Sequence, residues 1–415
     1  MGRDFFTMDD FALAGSTVLL RVDINSPIDP TTGRILNDAR IREHLATVRD
    51  LRETKLAILA HQSRPGKDDF TTLEAHAERT SALLGRPVRY VDSLFGRHAV
   101  EAIQGMKPGD VVMLENTRFF AEEEALADAR FEKMANAVMV RILAPLAQYF
   151  VLDAFATAHR AQPSLCGFAE VLPALAGRVM EREVTMVSRA MESQERPKVA
   201  IFGGIKADDS IAVTRNILAN GIVDKVLTTG GVANLFLAAK GIDLGAPTTE
   251  FMRREVEGYD AFVRQSRDLL AKFPGRIEVP IDVAVNEGGT RRNVHLSELP
   301  SPHQVYDIGL DTIVHYQNEI DLARTIIMNG PAGVFELEEF SLGTREIFTA
   351  VANAGAFKVV GGGHTVAVVE QLGLQRKIDH VSTGGGALIH FLAGKELPLI
   401  TALKRSKAKF AKAPR

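Results

Sequence analysis

The apolar run Val199-Ala200-Ile201-Phe202 stops at Gly203-Gly204-Ile205-Lys206, and a helical pattern follows. The same order of apolar run, glycine cluster and helix recurs three times downstream. Val226-Leu227 precedes Gly230-Gly231, Val359-Val360 precedes Gly361-Gly362-Gly363, and His380-Val381 precedes Gly384-Gly385-Gly386. Glycine at a strand-to-helix turn lets the backbone approach a ligand closely. The helix that follows points unpaired N–H groups at an anion. Tight packing alone explains one such turn; four in one half of a chain point to a nucleotide or phosphate site at the carboxyl ends of the strands.

Towards the N-terminus, residues 16–22 (STVLLRV), 56–60, 111–114 and 149–152 read as strands, and 38–50 (with Asp38 as its cap) and 72–84 as helices. This alternation implies a mostly parallel sheet with helices on both faces and right-handed crossovers. Between Pro173 and Pro197, residues 179–193 (VMEREVTMVSRAMES) form a polar helical stretch that links two α/β domains. The expected fold class is α/β, with two doubly wound parallel-sheet (Rossmann-like) domains joined by a hinge helix. The expected divisions are a first domain over 1–175, an inter-domain helix and linker over 176–197, a second domain over 198–395, and a tail over 396–415 that returns to the first. The basic residues of the tail, Lys404, Arg405, Lys407, Lys409, Lys412 and Arg415, read as a solvated end.

A length of 415 residues accommodates about two or three domains. A net charge of −3 argues against a generally basic nucleic-acid binder. The single cysteine, Cys166, excludes an intrachain disulfide framework or a cysteine-rich zinc site and fits a reducing compartment. No apolar run approaches the roughly 18 residues of a membrane helix. The opening Met1-Gly2-Arg3-Asp4 lacks the apolar core of a signal peptide. A cytoplasmic location is expected, with neither nucleic acid nor membrane as partner.

The first half places basic residues at strand ends. Arg21 is followed by Asp23 and Asn25, His61 and Arg64 come straight after a strand, Arg118 follows Leu114-Glu115-Asn116, and His159-Arg160 follow Asp153-Ala154-Phe155. Arg40 sits in the first turn of a helix. Singly, each arginine reads as a surface or ion-paired residue. Five of them at one sheet edge read as a site for a small anion carrying several negative charges, which guanidinium forks bind bidentately. In the second half Lys206 sits in a phosphate-type turn, yet GxxxxGK[ST] and GxGxxG are both absent. That absence disfavours a nicotinamide dehydrogenase. Asp208 and Asp209 either cap the next helix or help hold a metal such as Mg²⁺. Glu336, beyond Asn329-Gly330-Pro331-Ala332-Gly333, either accepts from ribose hydroxyls or faces solvent. His44 and His390 read as ordinary helix residues. No Ser-His-Asp, HExxH or GxSxG arrangement occurs.

Together these stretches resemble the phosphoglycerate kinase family, from about Gly15 to the tail. Arg21-Val22-Asp23-Ile24-Asn25, then 37–41 (NDARI), 61–65 (HQSRP), 114–119 (LENTRF) and 153–160 follow in the family's order. So do 203–206, 329–336 (NGPAGVFE), 361–365 and 382–387 (STGGGA). The HQSRP and 206–210 (KADDS) variants look like the archaeal branch. The resemblance implies a hinge-bending enzyme that transfers phosphoryl reversibly between 1,3-bisphosphoglycerate and Mg·ADP, giving 3-phosphoglycerate and ATP. By motif position, Arg21, Asp23, Asn25, Arg40, His61, Arg64, Arg118 and Arg160 would hold the phosphoglycerate on the first domain. Gly204, Lys206, Gly231, Gly309, Asn329, Pro331, Val334, Glu336, Gly363, His364 and Thr365 would surround ATP or ADP on the second. Arg40 and Lys206 would be catalytic, Mg²⁺ the cofactor, and Asp208 and Asp209 candidates to hold it. A monomer is expected, with a dimer left open. The chain departs from the family at three points: His364 replaces a metal-binding Asp, Ser210 a second Lys, and Met328 a Trp. The alternative reading is a non-catalytic nucleotide- and anion-binding protein of the same fold.

Overall fold

A computed structural model describes residues 4–411; the first three residues, and Lys412 and Arg415 of the tail, lie outside the described residues. The chain forms two units. One runs to Val184 and resumes at Glu396; the other is Thr185–Lys395. The helix Arg178–Glu192 carries the chain from the first to the second.

The first unit contains β1 (Phe6–Thr7), β2 (Thr17–Arg21), β3 (Lys55–Leu59), β4 (Arg89–Tyr90), β5 (Val111–Met113), β6 (Tyr149–Leu152) and β7 (Ala174–Ala176). They lie in the order β1-β7-β6-β2-β3-β5-β4, all parallel. β2 is buried along its whole length, as a strand covered on both faces must be. Val18, Leu20, Ile58 and Val151 pack with Ile41 and Val48 of the helix Ala39–Asp50. Strand order reverses between β2 and β6, so the loops leaving their carboxyl ends part there and open a crevice.

One expectation is corrected in this unit. Asp38 takes the N-cap position, but its carboxylate does not cap. It pairs instead with Arg42 at 2.7 Å and Arg79 at 2.5 Å, the first an acid four residues ahead of an arginine. The tail packs on this unit while Lys404, Arg405 and Lys409 stay exposed. In the helix Pro398–Phe410, Ser406 Oγ accepts the Ala174 N–H at 2.8 Å, Arg405 pairs with Glu170 at 2.7 Å and with Glu132, and Lys409 donates to the Glu170 carbonyl.

The second unit contributes β8 (Lys198–Phe202), β9 (Lys225–Thr228), β10 (Ile277–Glu278), β11 (Asp282–Glu287), β12 (Thr290–His295), β13 (Val305–Ile308), β14 (Thr325–Asn329), β15 (Phe357–Gly361) and β16 (His380–Ser382). One parallel sheet has the order β10-β9-β8-β14-β15-β16. A small antiparallel sheet, β12-β11-β13, stands beside it in sequence, with no counterpart in the reading above. The glycine clusters open the helices Gly230–Ala239, Gly363–Gln371 and Gly386–Leu392, and Lys206 stands at the N-cap position of Ala207–Ala219, where no side chain caps.

At the reversal between β8 and β14 three turns interlock through their backbones. Gly203 N–H donates to the Asn329 carbonyl (2.8 Å), Gly204 N–H to that of Pro331 (2.9 Å), Gly230 N–H to that of Ala332 (2.9 Å) and Val232 N–H to that of Gly204 (3.1 Å). A Cβ on Gly203 would overlap the Pro331 carbonyl, and one on Gly330 the Gly203 carbonyl; Gly330 also holds φ +88°. Gly363 and Gly385 instead face open space. The glycines thus divide between packing and access. Gly330→Ala is expected to cost about 2 kcal/mol or more, from strain at positive φ plus overlap, read from urea unfolding. Gly355→Ala, with nothing within 4 Å, is expected to stay within about 0.5 kcal/mol.

Candidate active site

β2 ends in Arg21, which folds back into the protein and is 1% exposed. Its Nε donates to Ser164 Oγ at 3.1 Å, one Nη to the Val22 carbonyl, and the other lies 3.1 Å from His61 Nδ1. Ser164 gives its N–H (3.0 Å) and its hydroxyl to the buried carboxylate of Glu123. Burial lowers the Arg21 pKa to about 10, with Glu123 and Asp23 working against the fall. Burial raises Glu123, against the opposing pull of Arg21. Asp23 feels burial too, but the Arg40 charge, with that of Arg21 behind it, outweighs it and holds the carboxyl at about 2. Arg40 Nη1 lies 2.5 Å from Asp23 Oδ2 while its side chain stays 44% exposed. Burial, then the Arg21 charge, drives His61 well below the usual histidine range. His61 is therefore neutral and accepts from Arg21.

Asn25, Arg64, Arg118 and Arg160 line a basin of about 750 Å³, together with Lys67 and His159. Asn25 N–H reaches Asp23 Oδ1 at 3.2 Å, Asn25 Oδ1 accepts the Ser63 N–H at 2.9 Å, and Arg118 donates to the Ser63 carbonyl at 2.6 Å. Ser63 holds φ +54°, an uncommon value outside glycine. Arg118 lies 3.2 Å from Glu124; Arg64 and Arg160 are exposed. Of the eight residues expected around phosphoglycerate, four line the basin. Arg21, Asp23, Arg40 and His61 form the bonded cluster joined to it through Asn25.

Sequence reasoning missed Glu123, Ser164, Lys67 and His44. Glu123 is the middle of Glu122-Glu123-Glu124, and nothing in three like letters tells which one turns inward. His44 did carry a signal: it falls among Ile41, Leu45 and Val48 on the buried stripe of its helix, and it bonds Asp153 at 2.8 Å.

In the second unit two cavities share Gly204, Ile205, Pro331 and His364. The larger, about 270 Å³, is mostly apolar and adds Gly231, Val305, Tyr306, Val334 and Glu336. The smaller, about 130 Å³, adds Lys206, Asp209, Ser210, Asn329, Gly363 and Thr365. Thr365 is buried and accepts the Gly330 N–H at 2.7 Å, so it pins the turn. Gly309 lines neither cavity. It makes room for the Asp282 carboxylate, which accepts from Asp311 N–H (3.1 Å) and Thr312 N–H (2.8 Å) at the start of the helix Leu310–Leu322. Asp208 is exposed and outside both linings, and Asp209 is half-buried. Burial and the neighbouring Asp208 raise the Asp209 pKa, while Lys206 opposes them. Among the described residues no group of three or more His, Cys, Asp or Glu is arranged to hold a metal. One carboxylate with phosphate and water oxygens is a donor set that Mg²⁺ accepts; imidazole is not.

A family model for phosphoglycerate kinase matches residues 8–395. The chain belongs to the phosphoglycerate kinase family. The phosphoglycerate kinase of Thermoplasma acidophilum is 49% identical over 407 residues, 98% of this chain and 99% of the relative. That of Methanosarcina mazei is 50% identical over 412 residues, 99% of this chain and 98% of the relative. The crystal structure of phosphoglycerate kinase from Pyrococcus horikoshii OT3 matches with a TM-score of 0.89 at 43% identity, covering 98% of this chain and all 100% of that one. The structure from Coxiella burnetii matches at 0.82 and 33%, covering 97% and 99%. The chain is therefore a phosphoryl-transfer enzyme of archaeal type. It moves a phosphoryl group reversibly between 1,3-bisphosphoglycerate and Mg·ADP to give 3-phosphoglycerate and ATP.

Glu123→Ala leaves the Arg21 guanidinium buried without its counter-charge, and is expected to cost about 3 kcal/mol or more in urea unfolding. A pH dependence follows from the buried histidines. Burial holds His76 at about 4 and moves His61 in the same direction. Both bind a proton more readily when unfolded. Their contribution to stability is therefore complete above about pH 6.5 and is lost as pH falls from there towards 4. His76→Gln is expected to remove its share of that slope in denaturant midpoints measured from pH 7 to 4.

Proposed function

We propose that the first unit binds 3-phosphoglycerate through Arg21, Asp23, Asn25, Arg40, His61, Arg64, Arg118 and Arg160. The second binds ADP or ATP through Gly204, Lys206, Gly231, Asn329, Pro331, Val334, Glu336, Gly363, His364 and Thr365. The observation that carries this reading is the contrast between the two sites. An arginine-rich basin suits a small phosphorylated acid. An apolar slot adjoining a glycine-lined pocket with Lys206 suits a flat base followed by phosphates. On this reading the enzyme works in the cytoplasm on small-molecule substrates.

Phosphoryl transfer of this kind asks for in-line placement and neutralisation of charge on the equatorial oxygens, with no covalent intermediate on the protein. In the ATP-consuming direction the attacking group is already a carboxylate, so no general base is needed. Arg40, half-exposed and oriented by Asp23, steadies the transferring group from the glycerate side. Lys206, exposed at the smaller cavity, steadies it from the nucleotide side. Preorganised cations in these places are worth roughly 10³–10⁵ in rate by analogy with arginine fingers. Asp209 would hold a Mg²⁺ ion carried on the nucleotide phosphates, where that ion neutralises their charge. Each unit carries one substrate, so transfer requires bringing the two together and shutting out water.

Lys206→Ala is expected to lower kcat by about 10³-fold while 3-phosphoglycerate binding, measured by calorimetry, barely changes. Equal loss of both would assign Lys206 to the other substrate. Arg118→Ala is expected to weaken 3-phosphoglycerate by about tenfold or more and to leave ADP nearly unaffected; the reverse pattern would overturn the division of labour.

A further inference from the structure

We infer that His44 is a positioning residue for Arg40. His44 lies four residues after Arg40 in the helix Ala39–Asp50, on the buried face. Its ring closes a chain of bonds that begins at Arg40 and ends at the start of another helix. Arg40 pairs with the Asp23 carboxylate at 2.5 Å. The backbone nitrogen of Asp23 is 3.2 Å from His44 Nε2, and His44 Nδ1 is 2.8 Å from Asp153 Oδ2. Asp153 is fully buried. It also accepts from Thr47 Oγ1 at 2.7 Å, and from the N–H groups of Val179 (2.8 Å) and Met180 (3.2 Å) in the first turn of the helix Arg178–Glu192.

The chemistry of the ring follows from these partners. A carboxylate facing Nδ1 makes that nitrogen the donor, which in the neutral ring leaves a lone pair on Nε2. Nε2 therefore takes the Asp23 N–H; the Asp23 carbonyl, 3.1 Å away, offers it no proton. Asp23 lies past the end of β2, in irregular chain with no ladder to hold it. His44 supplies the missing restraint and refers it to a carboxylate that itself holds four donors. Arg40 is long and half-exposed, so the place of its guanidinium depends on the place of the Asp23 carboxylate. A misplacement of about 1 Å at a reacting centre costs roughly 10²-fold in rate.

This inference rests on Arg40 acting on the transferring group, and the test separates the two. His44→Asn keeps a donor near the Nδ1 position for Asp153. His44→Gln keeps an acceptor near the Nε2 position for Asp23 and leaves Asp153 its three other donors. We expect His44→Asn to lower kcat about tenfold, with KM for ATP and 3-phosphoglycerate within about twofold. His44→Gln is expected to melt at a lower temperature yet keep most of the turnover that His44→Asn loses. In an Arg40→Ala background His44→Asn should have no further effect on kcat, as coupled residues do in a double-mutant cycle. Three results would overturn the inference: turnover that follows melting temperature in both variants, a rise in KM without loss of kcat, or a His44→Asn effect that persists without Arg40. An Arg40→Ala enzyme with near-normal turnover would instead overturn the assignment of Arg40, and the inference with it.

Discussion

Charge without water has to be answered by charge or by hydrogen bonds, and the first unit is organised around that demand. Arg21, Asp23, Glu123 and Asp153 are all buried at the carboxyl edge of one parallel sheet. None is left alone. Glu123 answers Arg21 through Ser164, Arg40 answers Asp23, and Asp153 gathers a histidine, a threonine and two backbone N–H groups. The groups that touch substrate in the proposed mechanism are thereby held by one another and by Glu123, Ser164, His44 and Asp153, which do not. The preorganisation useful for phosphoryl transfer is a by-product of keeping these charges tolerable inside the protein.

The second unit meets a different constraint. The edge proposed to face the nucleotide carries little buried charge and many backbone amides, and its geometry is set by how closely three turns approach one another. Main-chain bonds between Gly203, Gly204, Asn329 and Pro331 fix the positions of the turns. Thr365 then ties the third of them to the start of the helix Gly363–Gln371. A flexible cation, Lys206, hangs from this rigid frame.

Much of this was legible in the sequence because it rests on local signals. Glycines at strand ends and arginines after strands are visible at short range, and they pointed to the regions where the cavities lie. What stayed hidden depends on partners far along the chain. Glu123 differs from Glu122 and Glu124 only through Ser164, 41 residues on. His44 becomes more than a core histidine only through Asp153, 109 residues on. The small antiparallel sheet escaped because β12 (TRRNVH) is largely exposed and polar, without the alternation that marks a half-buried strand. The pairings of the tail stayed hidden because they too depend on distant partners. Its lysines and arginines look solvated, but their partners Glu132 and Glu170 sit in another part of the chain.

The interlocked turns also bear on how such an enzyme can change over time. A Cβ at Gly203, Gly230 or Gly330 would run into the backbone of a neighbouring turn, so a substitution there would need that turn to move as well. Single-step variation is confined to side chains that project from the frame. Ser210 and His364 are of that kind: both lie near the start of a helix and line the smaller cavity. On the proposed reading, the grip on nucleotide or metal can change at these two positions while the turns beneath them keep their backbone.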